Sequence, residues 1–209
     1  LMAWGIGPGD AVFTTPFTYV ATAEVIAILG ATPIFVDVYE STYNIDCEKL
    51  EVEINKVIKH GKLKPKAIIP VDLFGLPARY RVIDDIAKKY NLKIIEDAAQ
   101  SFGGSIRDKK VGVFGDVAAT SFYPAKPLGC YGDGGAIFTN DDSLAEECKA
   151  IRIHGTKADR YNSESIGLNG RFDSIQAAVV LEKLTIFDDE LEKRNIINAN
   201  YRKYLNNAQ

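Results

Sequence analysis

Excess basic charge, paired cysteines and long apolar runs are all missing from this sequence, and each absence removes a class of function. The 25 lysines and arginines are outnumbered by 28 acidic side chains, for a net charge of −3. No basic field is therefore available to hold nucleic acid phosphates. The longest apolar stretches, such as Val20 to Gly30, are broken by Thr22 and Glu24 and are too short to span a bilayer. Leu1 to Asp10 has neither a basic start nor a cleavage pattern, so no secretory signal segment is expected. Cys47, Cys130 and Cys148 are odd in number and widely spaced. They fit reduced thiols in a cytoplasm rather than a disulfide framework or a zinc site. Repeats and low-complexity tracts are absent as well. What is there is ordinary: 209 residues, 46% hydrophobic and 25% charged, enough for one substantial core.

Short, nearly unbroken apolar runs alternate with amphipathic stretches. Ala11 to Thr14, Thr32 to Val36, Ala67 to Val71, Lys93 to Glu96 and Val117 to Phe122 read as strands covered on both faces. Between them Ala21 to Leu29, Asp46 to Lys59 and Tyr80 to Tyr90 carry helical spacing, and Val82, Ile83, Ile86, Ala87 and Tyr90 form one stripe. Strand and helix repeated in this order predict right-handed crossovers and a mostly parallel sheet with helices on both sides. Further on, Gly135 to Thr139 reads as a strand and Asp141-Asp142-Ser143 as a helix start with acidic residues at its positive end. Asp173 is expected to cap a helix running to about Phe187, and Asp188 to Asn206 reads as another. The polar, glycine-bearing segment His154 to Asn169 reads as a long loop.

Two segments carry chemistry. In Ile94-Ile95-Glu96-Asp97-Ala98-Ala99-Gln100 an apolar strand ends in two carboxylates, small residues and an amide. Ligands of open α/β sheets sit beyond the carboxyl ends of strands, which places Asp97 where it can hold a protonated pyridine nitrogen, a metal or a ribose hydroxyl; a helix N-cap is the structural alternative. In Ser121-Phe122-Tyr123-Pro124-Ala125-Lys126-Pro127 a lysine sits between two prolines just after a strand. An amine held stiffly at a sheet edge, partly out of water, tends to a lowered pKa and forms imines with carbonyls. Gly132, Gly134 and Gly135 downstream permit positive φ or close backbone approach. Asp97 and Lys126 lie 29 positions apart on two expected strands of one sheet. Pyridoxal 5'-phosphate requires such a pair, an acid for its ring nitrogen and a lysine for its aldehyde.

Pro16-Phe17-Thr18-Tyr19-Val20-Ala21-Thr22, Glu96 to Ser101, Ser121 to Lys126 and Gly167-Leu168-Asn169-Gly170-Arg171 follow in the order found in the sugar-nucleotide aminotransferases of the DegT/DnrJ/StrS family, which the chain resembles over essentially its whole length. The resemblance implies a fold-type I, pyridoxal-phosphate-dependent enzyme: a three-layer αβα sandwich on a mostly parallel sheet. By the same resemblance Lys126 is the Schiff-base lysine and proton shuttle, and Asp97 is the partner of the pyridine nitrogen. Gln100 stands beside the cofactor's 3-hydroxyl, Tyr19 is the aromatic stacked on its ring, and Ser121 is a phosphate-binding hydroxyl. Asn169 reaches the phosphate of the neighbouring subunit's cofactor, which makes a homodimer with shared active sites. Left to themselves, Tyr19 also suits a core aromatic, Gln100 a cap and Asn169 a turn. His154 reads as structural and His60 as exposed.

Lysine rather than histidine at 126 puts the chain on the transaminating side of the family instead of the dehydrating side. The wording from Lys126 to Gly135 resembles members that aminate C3 of a UDP-linked 2-acetamido-3-keto-uronic acid. Arg171 then suits the substrate carboxylate, whose shape its fork matches, or else it supports the helix start. The expected donor is glutamate and the product an amino sugar for surface polysaccharide or glycan. A C4-specific enzyme for a 4-keto-6-deoxy sugar and a non-catalytic fragment are the alternatives. Against the family pattern the sequence looks truncated at both ends. Residues 1–187 are expected to be the cofactor-binding large domain without its phosphate-gripping N-terminal part, and 188–209 the start of a helix leading to a small C-terminal domain.

Overall fold

A computed structural model describes residues 1–159 and 161–205. Its centre is a six-stranded sheet in the order β2-β1-β3-β4-β7-β8. These strands are β1 (Asp10–Thr14), β2 (Thr32–Phe35), β3 (Lys64–Ile69), β4 (Lys93–Asp97), β7 (Val117–Ser121) and β8 (Gly135–Phe138). The first five run parallel, as the alternating pattern predicts. β8 turns back and pairs antiparallel with β7, opposing Ser121 to Gly135. A two-stranded ribbon, β5 (Ser105–Ile106) with β6 (Lys109–Lys110), lies outside the sheet; at two residues each its strands are too short to leave a periodic signal.

Strand periodicity sorts the side chains into two layers. Phe13, Ile68 and Ile94 point to the face covered by α2 (Cys47–His60) and α3 (Tyr80–Tyr90), where they meet Leu50, Ile54, Ile83 and Ile86. Val12, Ala67, Ile69 and Ile95 point to the opposite face, where Ile26 of α1 (Ala21–Ile28) packs on them. Each fully buried Phe, Leu or Ile contributes roughly 1.5–3 kcal/mol. Because the alternation runs unbroken to the end of β4, Glu96 continues the face of Ile94 and Asp97 that of Ile95.

The helices keep close to their expected limits. Asp46 and Asp141 each accept a backbone N–H three residues on, from Lys49 at 3.0 Å and Leu144 at 3.1 Å, and so cap α2 and α4 (Asp142–Ile151). Asp173 holds the N-cap position of α5 (Ser174–Leu184), but its side chain makes no capping bond. α6 runs Phe187–Tyr204; the expected end at Asn206 lies outside the described residues. The 154–169 segment is a loop pinned by short bridges, Ile153 with Asn169 and Thr156 with Ser163; Arg160 within it is not among the described residues. Among the described residues no helix is long and apolar enough to cross a membrane.

Candidate functional site

Asp97 is the last residue of β4, opposite Ala119 of β7 and bridged to Val71 just beyond the end of β3. Its N–H donates to the Pro70 carbonyl and its own carbonyl accepts from Asp72 N–H, both at 3.0 Å. No helix follows, which sets aside the N-cap alternative. Instead Oδ1 accepts from Ala99 N–H at 3.2 Å across a tight turn, and Oδ2 accepts from the Thr22 hydroxyl of α1 at 2.8 Å. The Thr18 and Thr22 hydroxyls are 3.0 Å apart and continue this line outward. Burial pushes the Asp97 carboxyl above its ordinary value; the Thr22 and Ala99 bonds and the nearby Lys126 ammonium pull it back.

Thr22→Val keeps the β-branched shape and deletes the donor. We expect a loss of about 1–2 kcal/mol at neutral pH, the cost of leaving a buried carboxylate one donor short. The loss should shrink in acid, where Asp97 is protonated; urea denaturation at the two pH values reads the difference. An equal loss at both would assign Thr22 to packing alone.

Lys126 arrives from the other side. After Ser121 ends β7 the chain buries Phe122, turns through Tyr123 and Pro124, and closes the turn with Lys126 N–H on the Tyr123 carbonyl at 2.9 Å. Leu128 and Cys130 then bury against Val180 of α5 and Phe187 of α6, so the lysine rides on a loop anchored at both ends. α5 fastens the outgoing limb: Gln176 Oε1 accepts from Tyr131 N–H at 2.8 Å and Lys183 Nζ donates to the Gly129 carbonyl at 2.6 Å. The downstream glycines serve close approach rather than positive φ. A Cβ on Gly134 would meet the Phe172 ring at 2.2 Å.

The other expected residues divide. Ser121 Oγ accepts from Tyr123 N–H at 3.2 Å at the rim of the same edge. Gln100 ends the turn begun by Asp97, its Oε1 accepting from Phe74 N–H at 2.8 Å. Tyr19 is 70% exposed, which rules out the core-aromatic alternative and leaves a ring face available for stacking. Asn169 and Arg171 stand outside this cluster on an exposed segment, bonded to each other at 3.3 Å from Nη1 to Oδ1. His60 and His154 are exposed, and His154 holds a left-handed backbone with φ 64°. Two further residues belong to this arrangement: Thr22, whose hydroxyl holds the Asp97 carboxylate, and Asp72, whose N–H holds the Asp97 carbonyl. The signal for Asp72 was the one used for Asp97, a carboxylate following a buried strand run.

The geometry fits a known group of proteins. Residues 1–209 match the DegT/DnrJ/EryC1/StrS aminotransferase family along their whole length. The chain belongs to that family. The UDP-2-acetamido-2-deoxy-3-oxo-D-glucuronate aminotransferase of Pseudomonas aeruginosa is 51% identical over 200 residues, 96% of this chain and 54% of the relative. A crystal structure of a DegT/DnrJ/EryC1/StrS aminotransferase from Brucella abortus superposes with a TM-score of 0.97 at 56% identity, covering 99% of this chain and 55% of that one. NtdA from Bacillus subtilis, solved with bound cofactor PMP, gives a TM-score of 0.88 at 33% identity over 97% of this chain and 45% of its own. The chain thus spans about half the length of the curated relatives it matches. Aminotransferases of the DegT/DnrJ/EryC1/StrS family depend on pyridoxal phosphate, and the donor set here suits it: a desolvated carboxylate, an amine within its field, a rim hydroxyl and an open aromatic face.

Proposed function

We propose that this chain is the cofactor-carrying part of an aminotransferase that moves an amino group from an amino acid, glutamate, to a nucleotide-linked keto-sugar. The observation that carries the reading is that a buried carboxylate, Asp97, ends β4 while Lys126 follows the carboxyl end of its neighbour β7, with the lysine's charge favouring the ionised carboxylate. When bound, pyridoxal phosphate supplies an aldehyde that captures amines and a ring that draws electrons from the carbon losing its proton. Lys126 Nζ is the group for covalent capture and for carrying that proton. Asp97, held by Thr22 and Ala99, keeps a proton on the ring nitrogen by charge. Tyr19 covers a ring face, Gln100 orients the ring hydroxyl and Ser121 takes the phosphate.

Asn169, on its exposed segment, serves the phosphate of a second subunit in a homodimer. Arg171 receives a substrate carboxylate, a role in keeping with the uronate named for the Pseudomonas relative. The setting is the cytoplasm and the product an amino sugar for a surface polysaccharide or glycan.

Incubation with pyridoxal phosphate, borohydride reduction and peptide mass analysis test the reading. The pyridoxyl mass is expected on the peptide carrying Lys126. Its absence, or its presence on surface lysines alone, overturns the assignment.

A further inference from the structure

The loop between β1 and α1 turns one side chain inward. From Pro16 to Val20 every residue is exposed except Thr18, which is half-buried. Thr18 does not cap α1, whose N-cap is Val20. Instead Thr18 Oγ1 lies 3.0 Å from Thr22 Oγ1, and Thr22 Oγ1 lies 2.8 Å from Asp97 Oδ2. A threonine inside a helix often gives its hydroxyl hydrogen to the carbonyl four residues back. Thr22 gives its hydrogen to a carboxylate from another element.

The number of hydrogens fixes the direction of the line. A hydroxyl carries one, and an ionised carboxylate carries none. The Thr22 hydrogen therefore points at Asp97, and the Thr18 hydrogen must point at Thr22. All donors in the line face the carboxylate, an arrangement in which each bond polarises and strengthens the next. A protonated Asp97 can donate to Thr22 and reverse the line.

Thr18 also sits between two aromatics of the same loop. The ring of Phe17 lies 5.2 Å from that of Tyr43 and 6.3 Å from that of Phe74, which fastens the loop on its outer side. Tyr19 follows, its carbonyl accepting from Thr22 N–H at 3.2 Å. We propose that Thr18 is a positioning residue for Asp97: it orients the Thr22 hydroxyl toward the carboxylate and ties the Tyr19 loop to the same point. Holding the Tyr19 ring face in register with the Asp97 charge serves the cofactor, and that service rests on the proposed function. The line of hydroxyls does not.

The ionisable groups around Asp97 lie off this line. Lys126, in the connection from β7 to β8, favours its charge, and Asp97 itself acts on Asp72 beyond β3 and on Tyr80 of α3. Substitutions at Thr18 and Thr22 leave all three in place. Because donors to the ionised form hold a carboxyl pKa down, each lost donor should move Asp97 upward.

Carbon-13 labelling of the aspartate carboxyls, with NMR titration of the protein in the absence of cofactor, reads this movement. Thr22→Val should raise the Asp97 step by roughly one pH unit, the effect of one donor lost from a buried charge. Thr18→Val removes no donor from Asp97 itself and should still raise the step, by about 0.1–0.3 unit, the share that one bond adds to its neighbour in a chain. Thr18→Ser keeps the hydroxyl and should restore the parent value. In the double valine variant the step should stand where Thr22→Val alone puts it, because groups in series do not add. An Asp97 step unmoved by Thr18→Val, or moved by it equally with and without the Thr22 hydroxyl, overturns the proposal. A missing pyridoxyl adduct would sink the cofactor reading and leave this titration untouched.

Discussion

On the proposed reading, Lys126→Ala is expected to remove the borohydride-trapped pyridoxyl adduct and, in the full-length enzyme, to cut transamination by at least about 10³-fold. Two losses compound: covalent capture of the cofactor aldehyde, and proton transfer by a positioned base, which alone contributes roughly 10²–10⁴-fold. The loop should survive the change. Its anchors are Phe122, Leu128 and Cys130, and the bond that Lys126 supplies to its turn comes from the backbone N–H, which alanine retains. Unfolding free energy should therefore stay within about 0.5 kcal/mol of the parent. Lys126→Arg separates charge from nucleophilicity, because a guanidinium is never deprotonated at working pH. It should keep the field on Asp97 and lose the adduct. An adduct that persisted in the alanine variant, with circular dichroism unchanged, would move the catalytic amine elsewhere.

Asp97→Asn should retain the adduct on Lys126 and lower turnover by about 10²–10³-fold, the scale on which one preorganised electrostatic partner acts. The amide keeps the shape, and its oxygen still accepts from Thr22, but the charge is gone. Stability should move the other way. Asp97 has a raised pKa, so its ionised form costs the fold free energy at every pH above the ordinary carboxylate range. The asparagine variant should accordingly melt higher than the parent at neutral pH in the absence of cofactor. Differential scanning calorimetry beside steady-state kinetics reads both signs. A variant that was both less stable and fully active would make Asp97 a structural residue.

Much of this was legible in the residues, and the limits have physical causes. The α3 stripe fixed Tyr80–Tyr90 to the residue, because a helix with one wet face carries a strong period. Asp97 and Lys126 stand out in the sequence because one ends a buried strand and the other follows one, where open sheets expose the edge at which ligands bind. The antiparallel turn of β8 was hidden, since a four-residue strand reads the same in either direction. So was the placing of Asn169 and Arg171. Their loop is held by near-contact of glycine backbones: a Cβ on Gly155 would lie 1.8 Å from the Ser165 carbonyl, and one on Gly167 would lie 2.3 Å from Gly155 N. Such packing leaves no trace in hydrophobic spacing. Asp72 was missed for another reason. It follows a buried strand run as Asp97 does, but its partners Tyr80 and Ser101 lie 8 and 29 positions away, and no local spacing ties them to it.

The opposed directions of Glu96 and Asp97 carry a constraint on how this protein can change length. A single residue gained or lost between Lys93 and Glu96 would exchange the two faces of the strand, turning Glu96 toward α1 and Asp97 toward α3. Neither carboxyl would then meet its donors, Gly112 and Phe114 on one side and Thr22 on the other. Insertions are tolerable in the 105–110 ribbon beyond the strand, where no such parity holds. In a library of length variants, β4 should behave as an indivisible word while the ribbon after it admits new letters.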